Sequence, residues 1–365
     1  MKNKKKKVVV AMSGGVDSSV AAYLLKEKGY DVVGVFMRFW APDEVSGMPF
    51  CAFENLCCSA EARQMAEKTA NKLKIPFYVL DLRDFFKKTI VDYFIDEYLS
   101  GRTPNPCVLC GQKIKFGALF QKARKVFEVD YLATGHYVGV RQNQKYKLLK
   151  GKDEKKDQSY FLYTANQEVL KHFLFPLSGI KKGEVRKIAK DNNLPSSSRK
   201  ESQEICFVPF GNYKEFLKAQ ADTSKFKPGK VVDLSGREVG THNGLAFYTI
   251  GQRRGIGISG EEPFYVIDIK PKENILVVGS EKELYKKELL AKNLTWISGE
   301  APKSGSKIKA KIRYNMEEQE AKIYPKGDQL RVVFQTPQRA ITPGQSVVIY
   351  KNKEVLGGGV IEKGI

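Results

Sequence analysis

Val8-Val9-Val10-Ala11-Met12-Ser13-Gly14-Gly15-Val16-Asp17-Ser18-Ser19 decides how the first half of this chain folds. The β-branched run in Lys7–Met12 reads as a buried strand, and a helical pattern follows from about Asp17 to Lys28. Glycines 14 and 15 between them let backbone N–H groups approach an anion closely, and the start of the helix adds positive potential. Ser13, Ser18 and Ser19 supply hydroxyl donors. Asp17 sits where it could cap the helix or help hold a metal bound to phosphate. No Gly-Lys-Ser/Thr follows, so this is not a Walker A loop, and the spacing is not Gly-x-Gly-x-x-Gly.

Outward from this loop, apolar runs alternate with helical patterns. Val32–Arg38, Pro76–Leu80 and Asp130–Thr134 read as strands, and Ala60–Lys74, Phe85–Leu99 and Gln112–Phe127 as helices. That alternation predicts an α/β unit with a doubly wound parallel sheet. Past about residue 210 the pattern changes. Val231–Leu234, Pro263–Ile269, Ile275–Val278, Lys307–Tyr314, Ala321–Tyr324, Leu330–Phe334 and Ser346–Tyr350 are short strands broken by Gly, Pro, Asn and Lys. They predict two small β-rich domains, the last a barrel, with units at 1–210, 211–290 and 291–365.

The composition sets limits on function. With 42% hydrophobic residues in 365, dominant disorder is excluded. A net charge of +21 favours a polyanionic partner, nucleic acid first. Six cysteines are too few for a disulfide scaffold. No secretory signal and no membrane-spanning run is found, so a soluble, cytoplasmic protein without membrane contact is expected. In that reducing compartment, clustered cysteines read as chemistry or metal ligation.

Gly101-Arg102-Thr103-Pro104-Asn105-Pro106-Cys107-Val108-Leu109-Cys110 is a proline-bracketed loop ending in C-x-x-C ahead of a helix. Thiols there, near a helix start and near Lys113 and Lys115, should have lowered pKa values. Far along the chain, Glu201-Ser202-Gln203-Glu204-Ile205-Cys206-Phe207 places another cysteine beside an apolar run. Cys51, Cys57 and Cys58 lack the spacing of a standard zinc site and read as ordinary loop thiols.

The loop Ser13–Ser18 resembles the SGGxDS loop of the ATP pyrophosphatases, which split ATP into AMP and pyrophosphate to activate a carbonyl oxygen. With the TPNPxxxC and SQEICF segments, the whole chain resembles the tRNA-specific 2-thiouridylases. Further matching stretches are Gly34–Trp40, Ala133–Tyr137, Lys156–Leu162, Tyr248–Gly255 and Thr342–Gln345. The resemblance implies ATP-dependent 2-thiolation of the wobble uridine of tRNAs for Lys, Glu and Gln, with release of AMP and pyrophosphate. It implies that Ala11, Met12, Ser13, Gly14, Gly15, Val16, Asp17 and Ser18, with Met37 and Gly135, bind ATP with Mg2+. It makes Cys110 the nucleophile and Cys206 the persulfide carrier, with a Cys110–Cys206 disulfide as intermediate and a cysteine desulfurase or relay protein as sulfur donor. Asn105, Pro106 and position 107 would meet the target base. His136, Lys156, Asp157, Gln158, Arg313, Tyr314 and Gln345 would contact tRNA.

Position 107 departs from the pattern, because many members carry Asp where this chain has Cys107. A thiol cannot simply replace a carboxylate in acid–base work. Cys107 is then a spare thiol, a redox partner for Cys110, or, with Cys110 and Cys206, a ligand of an iron–sulfur cluster of the 4Fe–4S type. Lys307, Lys309, Lys311 and Arg313 alternate with Ile308, Ala310 and Ile312, which puts the cations on one strand face, suited to an RNA backbone. Arg313-Tyr314 adds a guanidinium and a stacking ring. A small-molecule ATP pyrophosphatase would need neither the paired cysteines nor the basic β domain. A non-catalytic tRNA-binding protein would leave the phosphate loop without purpose.

Overall fold

The computed structural model describes residues 5–42, 44–45, 48–49, 59–199, 205–208, 211–258, 260 and 262–365. Cys51, Cys57, Cys58 and the segment Glu201–Glu204 lie outside them.

The first unit is built as its alternation predicts. Strand β1 (Lys7–Ala11) leads to helix α1 (Val16–Glu27), then β2 (Asp31–Arg38), α2 (Ala60–Lys72) and β3 (Phe77–Asp81). A helical stretch over 83–99 follows, and then α3, a continuous helix of Pro106–Cys110, π-wound Gly111–Leu119 and Phe120–Phe127. The helix thus begins at Pro106, not at Gln112. Asn105 caps it by accepting from Val108 N, and Pro106 fills the first-turn position that needs no N–H. The two cysteines therefore ride on the first turns of the helix and not on a loop before it.

After β4 (Tyr131–Ala133) the chain forms a hairpin, β5 (Val138–Gln142) and β6 (Tyr146–Lys150), then the short β7 (Phe173–Leu174) and helix α4 (Lys182–Asp191). The parallel sheet runs β3-β2-β1-β4-β7. Strand order reverses between β1 and β4, the place in such sheets where ligands bind beyond the carboxyl ends.

The central unit is a four-stranded sheet in the order β9-β8-β11-β10, from β8 (Gly229–Val232), β9 (Glu238–His242), β10 (Tyr265–Lys270) and β11 (Ile275–Gly279). The last unit is a closed barrel of β12 (Tyr285–Trp296), β13 (Ser306–Lys311), β14 (Gln319–Lys326), β15 (Gln329–Arg339), β16 (Ser346–Lys351) and β17 (Glu354–Gly364). It closes where β12 pairs with both β15 and β17. Residue 290 lies inside β12.

Two features join the units. The hairpin β5–β6 extends the barrel sheet, with Leu148 opposite Val355 and Leu149 opposite Glu354. The cores are shared as well. Val9, Leu132, Tyr160 and Tyr163 pack in one cluster with Val348, Tyr350 and Val355 of the barrel. Phe86, Phe94 and Phe207 pack with Phe216, Leu245, Val266 and Leu276 of the central unit. Apolar interfaces of this kind hold domains in fixed relation. Among the described residues no helix is long and apolar enough to cross a membrane.

Candidate active site

The phosphate loop leaves β1 at Ala11 and Met12, both buried, and turns at Gly14, whose φ is +75°. A Cβ there would lie 2.1 Å from the Ala62 carbonyl oxygen on α2, so only glycine fits. Gly15 caps α1 without any side-chain bond, which corrects one reading of Asp17: it does not cap the helix. The loop is drawn tight by its own hydroxyls. Ser13 N donates to Ser18 Oγ at 3.2 Å, and Ser18 Oγ and Ser19 Oγ donate to the Gly15 carbonyl at 3.1 and 3.0 Å. Val16 and Ser18 are buried behind it, while Ser13 is exposed.

Asp17 is held from two sides. Tyr137 OH donates to Oδ1 at 2.6 Å, and Lys182 Nζ lies 2.7 Å from both oxygens. Lys182, the first residue of α4, is buried at 8% exposure. Nothing in the sequence marks it, since one Lys among many gives no local signal. Both Asp17 oxygens face this ammonium, and among the described residues no three His, Cys, Asp or Glu side chains gather to hold a metal. Magnesium fits here as the counter-ion of a nucleotide's phosphates, part of the substrate and not an ion with a protein cage of its own.

Across the switch point, the turn after β4 closes on the same helix. A Cβ at Gly135 would sit 2.8 Å from the Asp17 carbonyl carbon and 2.9 Å from Ser18 N, so the two turns meet in backbone contact. His136 follows. Lys115 Nζ donates to its Nε2 at 3.1 Å, which leaves the ring proton on Nδ1, donated to Thr134 Oγ1 at 2.7 Å. Burial, then the Lys115 charge, holds the His136 pKa well below its ordinary value, so the ring is neutral. Met37, on β2, is half-buried where the two largest apolar clusters meet.

The cysteines come from two directions. Cys107 and Cys110 ride on α3, whereas Cys206 precedes Phe207 in the second cluster. None of the three is in a disulfide. Cys110 and Cys206 pack against that same cluster. Cys107 presents its side chain to solvent, yet enough protein surrounds it that desolvation dominates. Its thiol is pushed up to about 11, first by burial and then by Cys206, with Lys115 pulling the other way. The lowered pKa expected from the helix start and nearby lysines is thus reversed at Cys107. The three cysteines are not gathered as a group that could hold a single metal ion.

Both β units hold the strand of chain that leads into α3. Gln345 Nε2 donates to the Thr103 and Pro104 carbonyls, and Thr103 N donates to the Pro343 carbonyl at 2.9 Å. Thr103 Oγ1 donates to Thr249 Oγ1 of the central unit at 3.2 Å. Arg102 reaches Glu97 at 3.0 Å and the Ile361 carbonyl at 3.3 Å.

The other expected tRNA-facing residues are spread around this junction. Asp157 is buried and accepts from Gly151 N, Ser159 N and Ser159 Oγ. Gln158 Oε1 accepts from Tyr137 N at 3.0 Å, and Lys156 is half-buried beside them. Arg313 donates to the Ala340 carbonyl at 3.0 Å and to the Ile250 carbonyl at 3.4 Å, bridging barrel and central unit. Tyr314 stacks on Phe161 with ring centres 4.4 Å apart. Asn105 and Pro106 form the entrance to α3. On β13, Lys307 and Lys309 are exposed while Ile308 and Ala310 are buried, as the alternation requires.

A parallel sheet with a glycine phosphate loop at its switch point, a helix that bears two cysteines, and two β units that brace the chain leading into that helix define a nucleotide-binding domain of the HUP class. Residues 6–210 match the tRNA methyl transferase HUP domain, 214–280 the tRNA methyl transferase PRC-barrel domain, and 286–361 the aminomethyltransferase beta-barrel domain. The chain is 49% identical over 363 residues to the tRNA-specific 2-thiouridylase MnmA 2 of Thermoanaerobacter sp. (strain X514), covering 98% of each. It is 50% identical over 361 residues to MnmA 1 of Caldanaerobacter subterraneus subsp. tengcongensis, covering 98% of each. To MnmA of Clostridioides difficile (strain 630) it is 46% identical over 364 residues, covering 99% of each. The chain belongs to the tRNA-specific 2-thiouridylase family.

Proposed function

We propose that this protein is an ATP-dependent tRNA sulfurtransferase that makes 2-thiouridine at the wobble position of tRNAs for Lys, Glu and Gln in the cytoplasm. The observation that carries the reading is the turn after β4: Gly135 meets the backbone of Asp17 and Ser18, and the next residue, His136, accepts from Lys115 of the helix that bears Cys107 and Cys110. This supports a phosphate loop and a thiol pair working at one switch point.

The uridine leaves its stack and enters between these groups. Residues 11–18, Met37 and Gly135 bind Mg·ATP, and the uracil O2 attacks the α-phosphorus. The O2–P bond forms, the bond to the β-phosphate breaks, and pyrophosphate departs. The terminal sulfur of a Cys206 persulfide then attacks C2, and AMP leaves with O2. The Cys110 thiolate attacks the Cys206 sulfur, closing a Cys110–Cys206 disulfide and releasing the thiolated base. Two thiols are oxidised as the transferred sulfur is reduced, so an external thiol reductant resets the enzyme, and a cysteine desulfurase or relay protein reloads it. Asn105 and Pro106 meet the base; His136, Lys156, Gln158, Tyr314 and the lysines of β13 meet the tRNA. Asp157, Arg313 and Gln345 act on this surface through the backbone they hold.

The test is a single-turnover reaction with labelled ATP, unmodified tRNA and a persulfide donor. Cys206→Ser should release pyrophosphate on adding tRNA and leave the AMP on the adenylated base, forming no 2-thiouridine. ATP left intact by the unaltered chain in the presence of tRNA would sink the reading.

A further inference from the structure

We infer that Arg199 is a phosphate ligand of the nucleotide site, a role that rests on the ATP reading above. From Val8 to Leu25 the chain contains no Lys or Arg, so the phosphate loop brings no cation of its own. Lys182, whose ammonium reaches the start of α1, is spent on Asp17. A triphosphate seated on the loop would thus meet backbone N–H groups and hydroxyls, and one further group. That group is Arg199.

Its Nη1 lies against the bend of the loop, 2.8 Å from where a Cβ on Gly14 would stand. The space a Cβ on Gly14 would take is therefore closed by both the Ala62 carbonyl and a guanidinium. The mount is firm. Arg199 N donates to the Ser196 carbonyl at 3.0 Å, Ser196 is fully buried, and the turn Pro195–Ser198 packs on both α1 and α2.

The head group, by contrast, has no partner among the described residues. Arg199 is half-buried, and among the described residues its side chain makes no hydrogen bond and no ion pair. A guanidinium offers five donors in a fixed fork matched to phosphate oxygens, and half-burying it without an acceptor is unfavourable. The anion that the loop admits removes that deficit. Arg199 also belongs to the same stretch of chain as Cys206, so the phosphate contact and the sulfur carrier share one segment.

Calorimetric titration of the full chain with Mg·α,β-methylene-ATP and, separately, with AMP tests this. For Arg199→Gln the triphosphate analogue should weaken tenfold or more while AMP changes less than about twofold, since a charge-assisted contact is worth that much. Arg199→Lys should fall between. Thermal midpoints should stay at that of the parent, because no hydrogen bond or ion pair among the described residues is lost. Equal weakening for both nucleotides, or no change for either, would overturn the role of Arg199. If the unaltered chain binds neither nucleotide, the ATP reading itself fails, and the two failures are thereby told apart.

Discussion

Gln345 Nε2 donates to two successive carbonyls, of Thr103 at 2.9 Å and of Pro104 at 3.0 Å, so the barrel grips the segment that opens into the helix of Cys107 and Cys110. A Cβ at the neighbouring Gly344 would lie 2.8 Å from the Thr103 oxygen, which leaves this grip no slack. Gln345→Ala leaves both carbonyls without that donor, each such loss costing about 1–3 kcal/mol where water cannot reach. The thiolation rate should drop about tenfold or more with tRNA affinity within about threefold of the parent. Affinity falling in step with rate would instead mark Gln345 as a direct tRNA contact.

Asp17→Ala should abolish AMP formation with tRNA affinity nearly intact, as the phosphate loop and the basic strand are separate. It also takes a carboxylate away from the ammonium of buried Lys182. A stability loss of about 2 kcal/mol or more is expected, less than for a fully buried pair because Asp17 is a third exposed. The double variant Asp17→Asn with Lys182→Met should recover part of it. Denaturant melts of Asp17→Asn, Lys182→Met and the double variant read this out, and additive losses would argue against the pairing.

Lys115 stands between two titrating groups and acts on both in the same sense. Its charge holds the His136 pKa down, second to burial, and opposes the burial that raises Cys107. Lys115→Met should therefore raise both. For His136, a depressed pKa means that the unfolded chain takes up the proton first. The folded state therefore loses stability as pH falls below about 6.5, and the variant should lose less. Imidazole 15N shifts followed from pH 7 downward measure it; a His136 titration unmoved by the variant would refute the coupling.

Cys107 carries a raised pKa, so its proton is held more tightly folded than unfolded, and its stabilising effect fades as pH rises from 9 towards about 11. Alkylation of Cys107 at pH 8 should accordingly be about a hundredfold slower than of a free peptide cysteine, despite its exposure. For catalysis, Cys107→Ser should retain substantial thiolation with a persulfide donor, and Cys107→Asp should be tolerated or improve it. Loss of activity in Cys107→Ser equal to that in Cys110→Ser would place Cys107 in the sulfur chemistry itself.

Lys307→Gln combined with Lys309→Gln should lower the slope of log tRNA affinity against log salt by up to about two. Point changes serve better than truncation here. The barrel shares a core with Tyr160 and Tyr163, so a chain cut before β12 should lose its cooperative melt. An unchanged salt slope in the double variant would show these cations to be facing solvent alone.

What could be read from the sequence was local. Ser13–Ser18 announced itself because strand, glycine turn and helix lie within one short run, and the alternation gave the faces of β13 correctly over Lys307–Ala310; Lys311 is half-buried, and Arg313 lies past the strand's end and turns inward to the Ala340 and Ile250 carbonyls. What could not be read depended on distant chain. Gly357, Gly358 and Gly359 look like a turn, yet they lie in the middle of β17. Side chains there would strike the Thr295, Val347 and Lys292 carbonyls at 2.1, 2.3 and 2.7 Å. The hairpin β5–β6 becomes sheet because β17 pairs with it. The sign of the Cys107 shift failed for the same reason. Nearby lysines and a helix start argue one way, but burial by the folded protein outweighs them.

The pairing of β6 with β17 also sets an order of events during synthesis. Lys147 meets Glu354 across 207 residues, so almost the entire chain must leave the ribosome before this edge finds its neighbour. Until then Tyr146–Lys150 is an open strand edge beside unfilled apolar surface, the sort of nascent state that pairs wrongly with other chains. Loop closure over such a distance makes folding slow, with β17 completing the first unit begun. A ribosome stalled before β17 has emerged would hold a protein whose nucleotide-binding half is already synthesised but cannot yet be sealed.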